Sequence, residues 1–228
     1  MIYAFGSCNV LRCSTAIKHR DTNSWVKLAA DLLGLEAVNY GEKAVDNNYI
    51  YHTVLTNLDA MPKDSLVVVG WADVSSRLFS SAGVDQDIVN NSLTYPGLGS
   101  DLWIRSPGRN DGVWDGNFDY KQTTGNDYYD TYFHKYYNEY IAELELLQKV
   151  SSLHSILSDN NIRHVFTANK NLPCMNIVRH ANWFFPEDLG IVEYTKHADL
   201  AISDTNCHLT DEGHDVVAEL FVDYLNEL

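Results

Sequence analysis

Met1-Ile2-Tyr3-Ala4-Phe5-Gly6-Ser7-Cys8-Asn9 opens the chain, an apolar run that breaks at Gly6 into side chains of nucleophile type. Its counterpart at the other end is Asn206-Cys207-His208-Leu209-Thr210-Asp211-Glu212-Gly213-His214, set ahead of a final amphipathic stretch. A nucleophile at the end of the first strand and a histidine at the start of the last helix are able to share one pocket, the arrangement that covalent acyl transfer requires.

Working outward, Ile2 to Phe5 reads as a strand. Ser24 to Leu35 reads as a helix, with Trp25, Leu28, Ala29, Leu32 and Leu33 at helical intervals before Gly34. Ala37 to Tyr40 returns as a second strand, and Asn48 to Leu58 has helical spacing. The uninterrupted Leu66-Val67-Val68-Val69 suits a strand covered on both faces, hence a parallel sheet. Residues 80–127 lose periodicity and gain glycines, and read as a long irregular insertion with short local elements, either a binding surface or a packed excursion. Tyr128 to Ser158 reads as a long helix carrying an aromatic stripe of core and rim residues that includes Tyr132, Tyr136 and Tyr140. His164 to Ala168 and a short piece at Asp188 to Tyr194 read as further strands, and Asp211 to Leu228 as the last helix. Strands alternating with helices predict an α/β three-layer sandwich, a parallel sheet with helices on both faces and functional residues at the strands' carboxyl ends.

The 228 residues and 45% hydrophobic content suit one domain with a sizeable core. Sixteen basic against thirty-one acidic residues leave a net charge of −15, which opposes binding to nucleic acid or to an anionic membrane surface. With neither a signal peptide nor a membrane span in the sequence, a cytoplasmic or virion-associated location is expected. Cys8, Cys13, Cys174 and Cys207 lack metal-ligand or disulfide-scaffold spacing, so free thiols, no metal and no cofactor are expected.

Phe5-Gly6-Ser7-Cys8-Asn9 resembles the first block of the SGNH, or GDSL, hydrolases, with Ser7 at the family's aspartate and Cys8 at its nucleophilic serine. Ser24-Trp25 with Leu28-Ala29 and Leu33-Gly34 resembles the helix after that block. Asn39, Ala44, Asn47 and Ile50 resemble block two, where the family usually has glycine at the position of Ala44. Gly70-Trp71-Ala72-Asp73 with Arg77 resembles block three, and His208 to His214 with Ala218 and Leu220 resembles block five, whose catalytic histidine opens the final helix. The resemblance implies a flavodoxin-like fold and the cleavage of a small acyl ester, plausibly an acetyl group on a carbohydrate.

By that resemblance Cys8 is the candidate nucleophile, with Ser7 as the alternative, His208 the general base and Asp204 the acid that orients it. Ala44 and Asn47 are candidates for the oxyanion hole, and Trp71, Asp73 and Arg77 for substrate contact. A thiol beside an imidazole is partly ionised near neutrality and attacks esters readily. Two departures stand against catalysis. The family's oxyanion-hole asparagine is Ala72 here, and a lost donor of this kind costs about 3 kcal/mol in the transition state. The family's acid position, three residues before the histidine, is Thr205. The other reading is therefore a catalytically degraded domain of this fold that binds a glycan or a protein, as part of a phage particle.

Overall fold

The computed structural model describes residues 1–7, 10, 24–42, 45–72, 74, 78–80, 94–96, 102–105, 131, 135–169, 177–178, 180–203 and 206–228; for 78–80, 94–96, 102–105, 202–203 and 206–208 it describes the backbone alone. Strand β1 (Ile2–Gly6) lies at the centre, flanked by β2 (Ala37–Asn39) and β3 (Leu66–Trp71), and β7 (Arg163–Ala168) lies beyond β3. The order β2-β1-β3-β7 is parallel throughout, with Gly6 opposite Gly70 and Gly70 opposite Thr167. Every residue of β1 and β3 is buried, as a strand covered on both faces requires.

Period-two alternation sorts the strand residues into two cores. Tyr3, Phe5, Val67, Val69, Trp71 and Phe166 face α2 (Asn47–Asn57) and α3 (Glu139–Asp159), whose Ile50, Val54, Leu146, Val150 and Leu153 pack against them. Ile2, Ala4, Leu66, Val68 and Val165 face α1 (Trp25–Leu32), α4 (Ile191–His197) and α5 (Asp211–Glu227), meeting Trp25, Ala29, Tyr194, Val217 and Phe221. The predicted three-layer α/β sandwich is the observed architecture.

Helix boundaries follow local chemistry. Ser24 caps α1, its hydroxyl accepting from the Lys27 amide at 3.3 Å. Gly34, at φ 66°, takes the left-handed turn that follows the helix. Thr210 caps α5 by accepting from the Gly213 amide at 3.0 Å.

Four expectations are corrected. The long helix starts at Glu139 rather than Tyr128, because the Asn138 side chain caps it by accepting from the Ile141 amide at 3.1 Å. The aromatic stripe is only partly core and rim: Tyr137 packs against the core, Tyr136 and Tyr140 are exposed, and Tyr132 lies outside the described residues. Asp188 to Tyr194 is helical instead of extended, Pro186–Asp188 forming a 3-10 turn and α4 starting at Ile191, where the Glu193 carboxylate accepts from the Gly190 amide at 3.0 Å. His208 does not open the last helix; it sits on β9 (Asn206–Leu209), which pairs antiparallel with β8 (Ala201–Ser203). Within the stretch read as an insertion, β5 (Thr94–Pro96) and β6 (Leu102–Arg105) join β4 (Leu78–Ser80) in a small antiparallel sheet of order β4-β6-β5.

Candidate active site

The carboxyl ends of β1, β3 and β7 meet under a tight packing of glycine against valine. After Gly6 the chain turns, with the Val10 amide donating to the Ser7 carbonyl at 3.0 Å, and Val10 folds back over Gly6 and Gly70. A Cβ at Gly6 would lie 2.6 Å from Val10 Cγ2 and 2.7 Å from the Gly70 carbonyl oxygen, so both glycines are required by closeness rather than by φ.

Asn39 holds this loop in place. Its Nδ2 donates to the Val10 carbonyl at 3.1 Å and to the Ser24 hydroxyl at 3.3 Å, while its Oδ1 accepts from the Gly41 amide at 2.8 Å. One side chain thus ties the end of β2 to the turn after β1 and to the cap of α1. The chain then continues beside β1, with the Glu42 amide donating to the Gly6 carbonyl at 2.9 Å.

Asn47, buried at the first turn of α2, pairs with the backbone just beyond β3: its Oδ1 accepts from the Ala72 amide at 2.8 Å and its Nδ2 donates to the Ala72 carbonyl at 3.1 Å. The amide of Asn47 is thereby a clamp on the segment after β3. Trp71, read from sequence as exposed for substrate contact, is instead wholly buried and edge-on to Phe166 at 6.0 Å between centroids. Ser7 is also buried, at 4% exposure. Its Oγ, the Trp71 Nε1 and the Thr167 Oγ1 have no hydrogen-bond partner among the described residues.

The chain's two ends converge on this edge of the sheet. His214, in the first turn of α5, accepts from the Trp25 amide at 3.1 Å through Nδ1, so the starts of α1 and α5 abut across 189 positions of sequence. An acceptor at Nδ1 places the ring proton on Nε2 and satisfies one of the amides that a helix start leaves open. The sequence marks this histidine only as part of block five; its capping role has no signal of its own. Cys8, Ala44, Asp73, Arg77 and Asp204 lie outside the described residues, and of His208 the backbone alone is described, on β9 shortly before the α5 cap. No group of three or more His, Cys, Asp or Glu side chains among the described residues is disposed to hold a metal ion, and no helix among them is long and apolar enough to cross a membrane.

No family model and no curated relative matches the sequence. Solved structures do. The chain is similar to a member of the lipolytic protein G-D-S-L family from Veillonella parvula DSM 2008, at 10% identity over 100% of this chain and 98% of that one, with a TM-score of 0.50. It is also similar to a Bacillus subtilis protein, at 8% identity and a TM-score of 0.53, where all of this chain spans 56% of that one. With a parallel sheet of order β2-β1-β3-β7 covered on both faces, and the starts of the first and last helices joined by the Trp25 to His214 hydrogen bond, the chain has the SGNH/GDSL-type hydrolase fold.

Proposed function

We propose that the chain is a hydrolase of small acyl esters, working through Cys8, His208 and Asp204. The observation that carries the reading is the Trp25 to His214 hydrogen bond: it joins the helix that follows the Cys8 loop to the helix that follows the His208 strand. In the proposed reaction His208 takes the Cys8 proton as sulfur bonds to the ester carbonyl carbon. The imidazolium returns that proton to the departing alcohol, leaving a thioester. Water, deprotonated by His208, then adds to the thioester, and the carboxylic acid departs as the thiol reforms. Asp204 orients the imidazole, and the backbone amides of Cys8 and Ala44 hold the oxyanion. An acetyl ester of a carbohydrate is the substrate class that the family resemblance favours.

One observation favours the second reading, a degraded domain that binds a glycan or a protein. The family's oxyanion-hole asparagine is absent at Ala72, and the Ala72 amide already donates to Asn47. Turnover of p-nitrophenyl acetate by wild type, Cys8→Ala, Ser7→Ala and His208→Ala decides between the two readings, with iodoacetamide labelling of Cys8 across pH. Loss of turnover in both Cys8→Ala and His208→Ala, with a Cys8 that labels at unusually low pH, supports the enzyme. Absence of turnover on every ester tried, or equal rates in all four proteins, supports the binding module.

A further inference from the structure

At the opposite, amino-terminal edge of the sheet three histidines from three segments meet. His154 on α3 and His164 on β7 are linked through Nδ1 and Nε2 at 2.8 Å, with ring centroids 4.9 Å apart. His180, on the segment after β7, packs edge-on to His154 at 4.8 Å. The protons are assignable. His164 Nδ1 lies 2.9 Å from the Ile162 carbonyl, which accepts only, so that nitrogen carries the hydrogen and Nε2 is a bare acceptor. His154 must therefore donate through Nδ1, which leaves its own Nε2 bare. The chain His154 Nδ1–H to His164 Nε2, His164 Nδ1–H to Ile162 O requires a neutral His164, whose Nε2 must stay bare to accept.

His154 and His164 line an open cavity of about 440 Å³ with Leu66 from β3, Ser158 from α3, Asn161 and Arg163 at the start of β7, Asn182, and Leu225 and Leu228 at the end of α5. Arg163 is the charged side chain in this lining, and no carboxylate side chain appears there among the described residues. A first proton, at His154 Nε2, lies beside the His180 ring and leaves the donor toward His164 in place. A second, at His164 Nε2, removes the acceptor and breaks the link.

This seam holds the sheet's outer margin. Residues 182–184 run along β7 as a fifth, minimal strand: the Phe166 amide donates to the Asn182 carbonyl and the Phe184 amide to the Phe166 carbonyl, each at 2.8 Å, with a parallel bridge from Phe166 to Trp183. Asn182 Nδ2 also donates to the His164 carbonyl at 3.3 Å.

We propose that His154, His164 and His180 form an acid-sensitive fastening, which when neutral holds α3 and the 182–184 strand against β7 and on protonation releases that margin of the sheet. Burial, then the neighbouring His164 and His180, hold His154 below its ordinary value. Burial does the same to His164, against the opposing effect of the Ile162 carbonyl. Both shifts are downward, so the unfolded chain binds more protons than the folded one between the lowered values and the ordinary histidine value of about 6.5. The fastening contributes fully above that value and is lost as pH falls through the lowered ones.

The test compares thermal midpoints of wild type and the variant His164→Gln at pH 7.5 and 5.5. Glutamine keeps a neutral acceptor toward His154 and a donor toward the Ile162 carbonyl without a proton site. Wild type should lose on the order of 3 °C more than the variant on acidification. Hydrogen exchange on wild type gives an independent reading should the variant not fold: protection factors of the Phe166 and Phe184 amides should fall at least about tenfold relative to those of Val67 and Val68 over the same range. Equal pH sensitivity of the two proteins, or equal loss of protection at the margin and in the centre, overturns the proposal.

Discussion

The two edges of the central sheet are built on opposite terms. At the carboxyl edge Ser7 Oγ, Trp71 Nε1 and Thr167 Oγ1 are buried without hydrogen-bond partners among the described residues, and two glycines leave room for a returning side chain. At the amino edge the polar groups of His154, His164 and Asn182 are linked to one another or to backbone, with Ser65 Oγ as the exception among the described residues. A buried polar atom left without a partner costs about 1–3 kcal/mol, so one edge holds uncompensated polarity while the other is stitched for stability. Stability given up where chemistry is expected is the usual sign of a functional edge.

The largest effect expected concerns catalysis at the carboxyl edge. Cys8→Ala and His208→Ala should each lower p-nitrophenyl acetate turnover on the order of a thousandfold or more, with thermal midpoints close to wild type. A loss of rate matched by a loss of fold would place those side chains in the scaffold instead. Next in size is Gly6→Ala, which forces a methyl against the Gly70 carbonyl and Val10. About 1–3 kcal/mol of destabilisation is expected in urea denaturation, and an unchanged midpoint would show that the strand ends part easily. His214→Ala should cost a similar amount, about 1–3 kcal/mol, by leaving the Trp25 amide buried and unmet. Glutamine at the same position should recover part of it if its carbonyl reaches that amide.

The smallest effect is the most diagnostic for the contrast between edges. Thr167→Val removes a buried hydroxyl that has no partner among the described residues and keeps the shape, so stability should rise by up to about 1 kcal/mol. A loss of stability on calorimetry would mean that the hydroxyl is satisfied, and the contrast would weaken.

Much of the architecture is legible in the residues. Leu66 to Val69 reads as a doubly covered strand because it is one, and Ser24, Gly34 and Thr210 mark helix ends through side-chain and backbone chemistry that acts within four positions. The misreadings share a cause. Ile191 and Val192 look like strand residues, yet the Gly190 to Glu193 hydrogen bond starts a helix there, so a cap three residues long outweighs two residues of propensity. Tyr136 and Tyr140 keep helical spacing without facing the core, since Asn138 interrupts the helix between them. Trp71 looks like a surface aromatic because it follows a glycine at a strand end; the register that lays it against Phe166 is a long-range fact. The clamps made by Asn39 and Asn47 sit at positions picked out by family likeness, but their partners, Val10 and Ala72, emerge only once the strands are side by side.

The short strand at 182–184 carries a consequence for how copies of the chain behave together. A bare β7 would offer a second molecule a ready row of amides and carbonyls, and strands so offered recruit their own kind. Residues 182–184 occupy both backbone groups of Phe166 and lay Trp183 across its ring at 5.6 Å. A second chain would have to displace that stub before it could pair with Phe166.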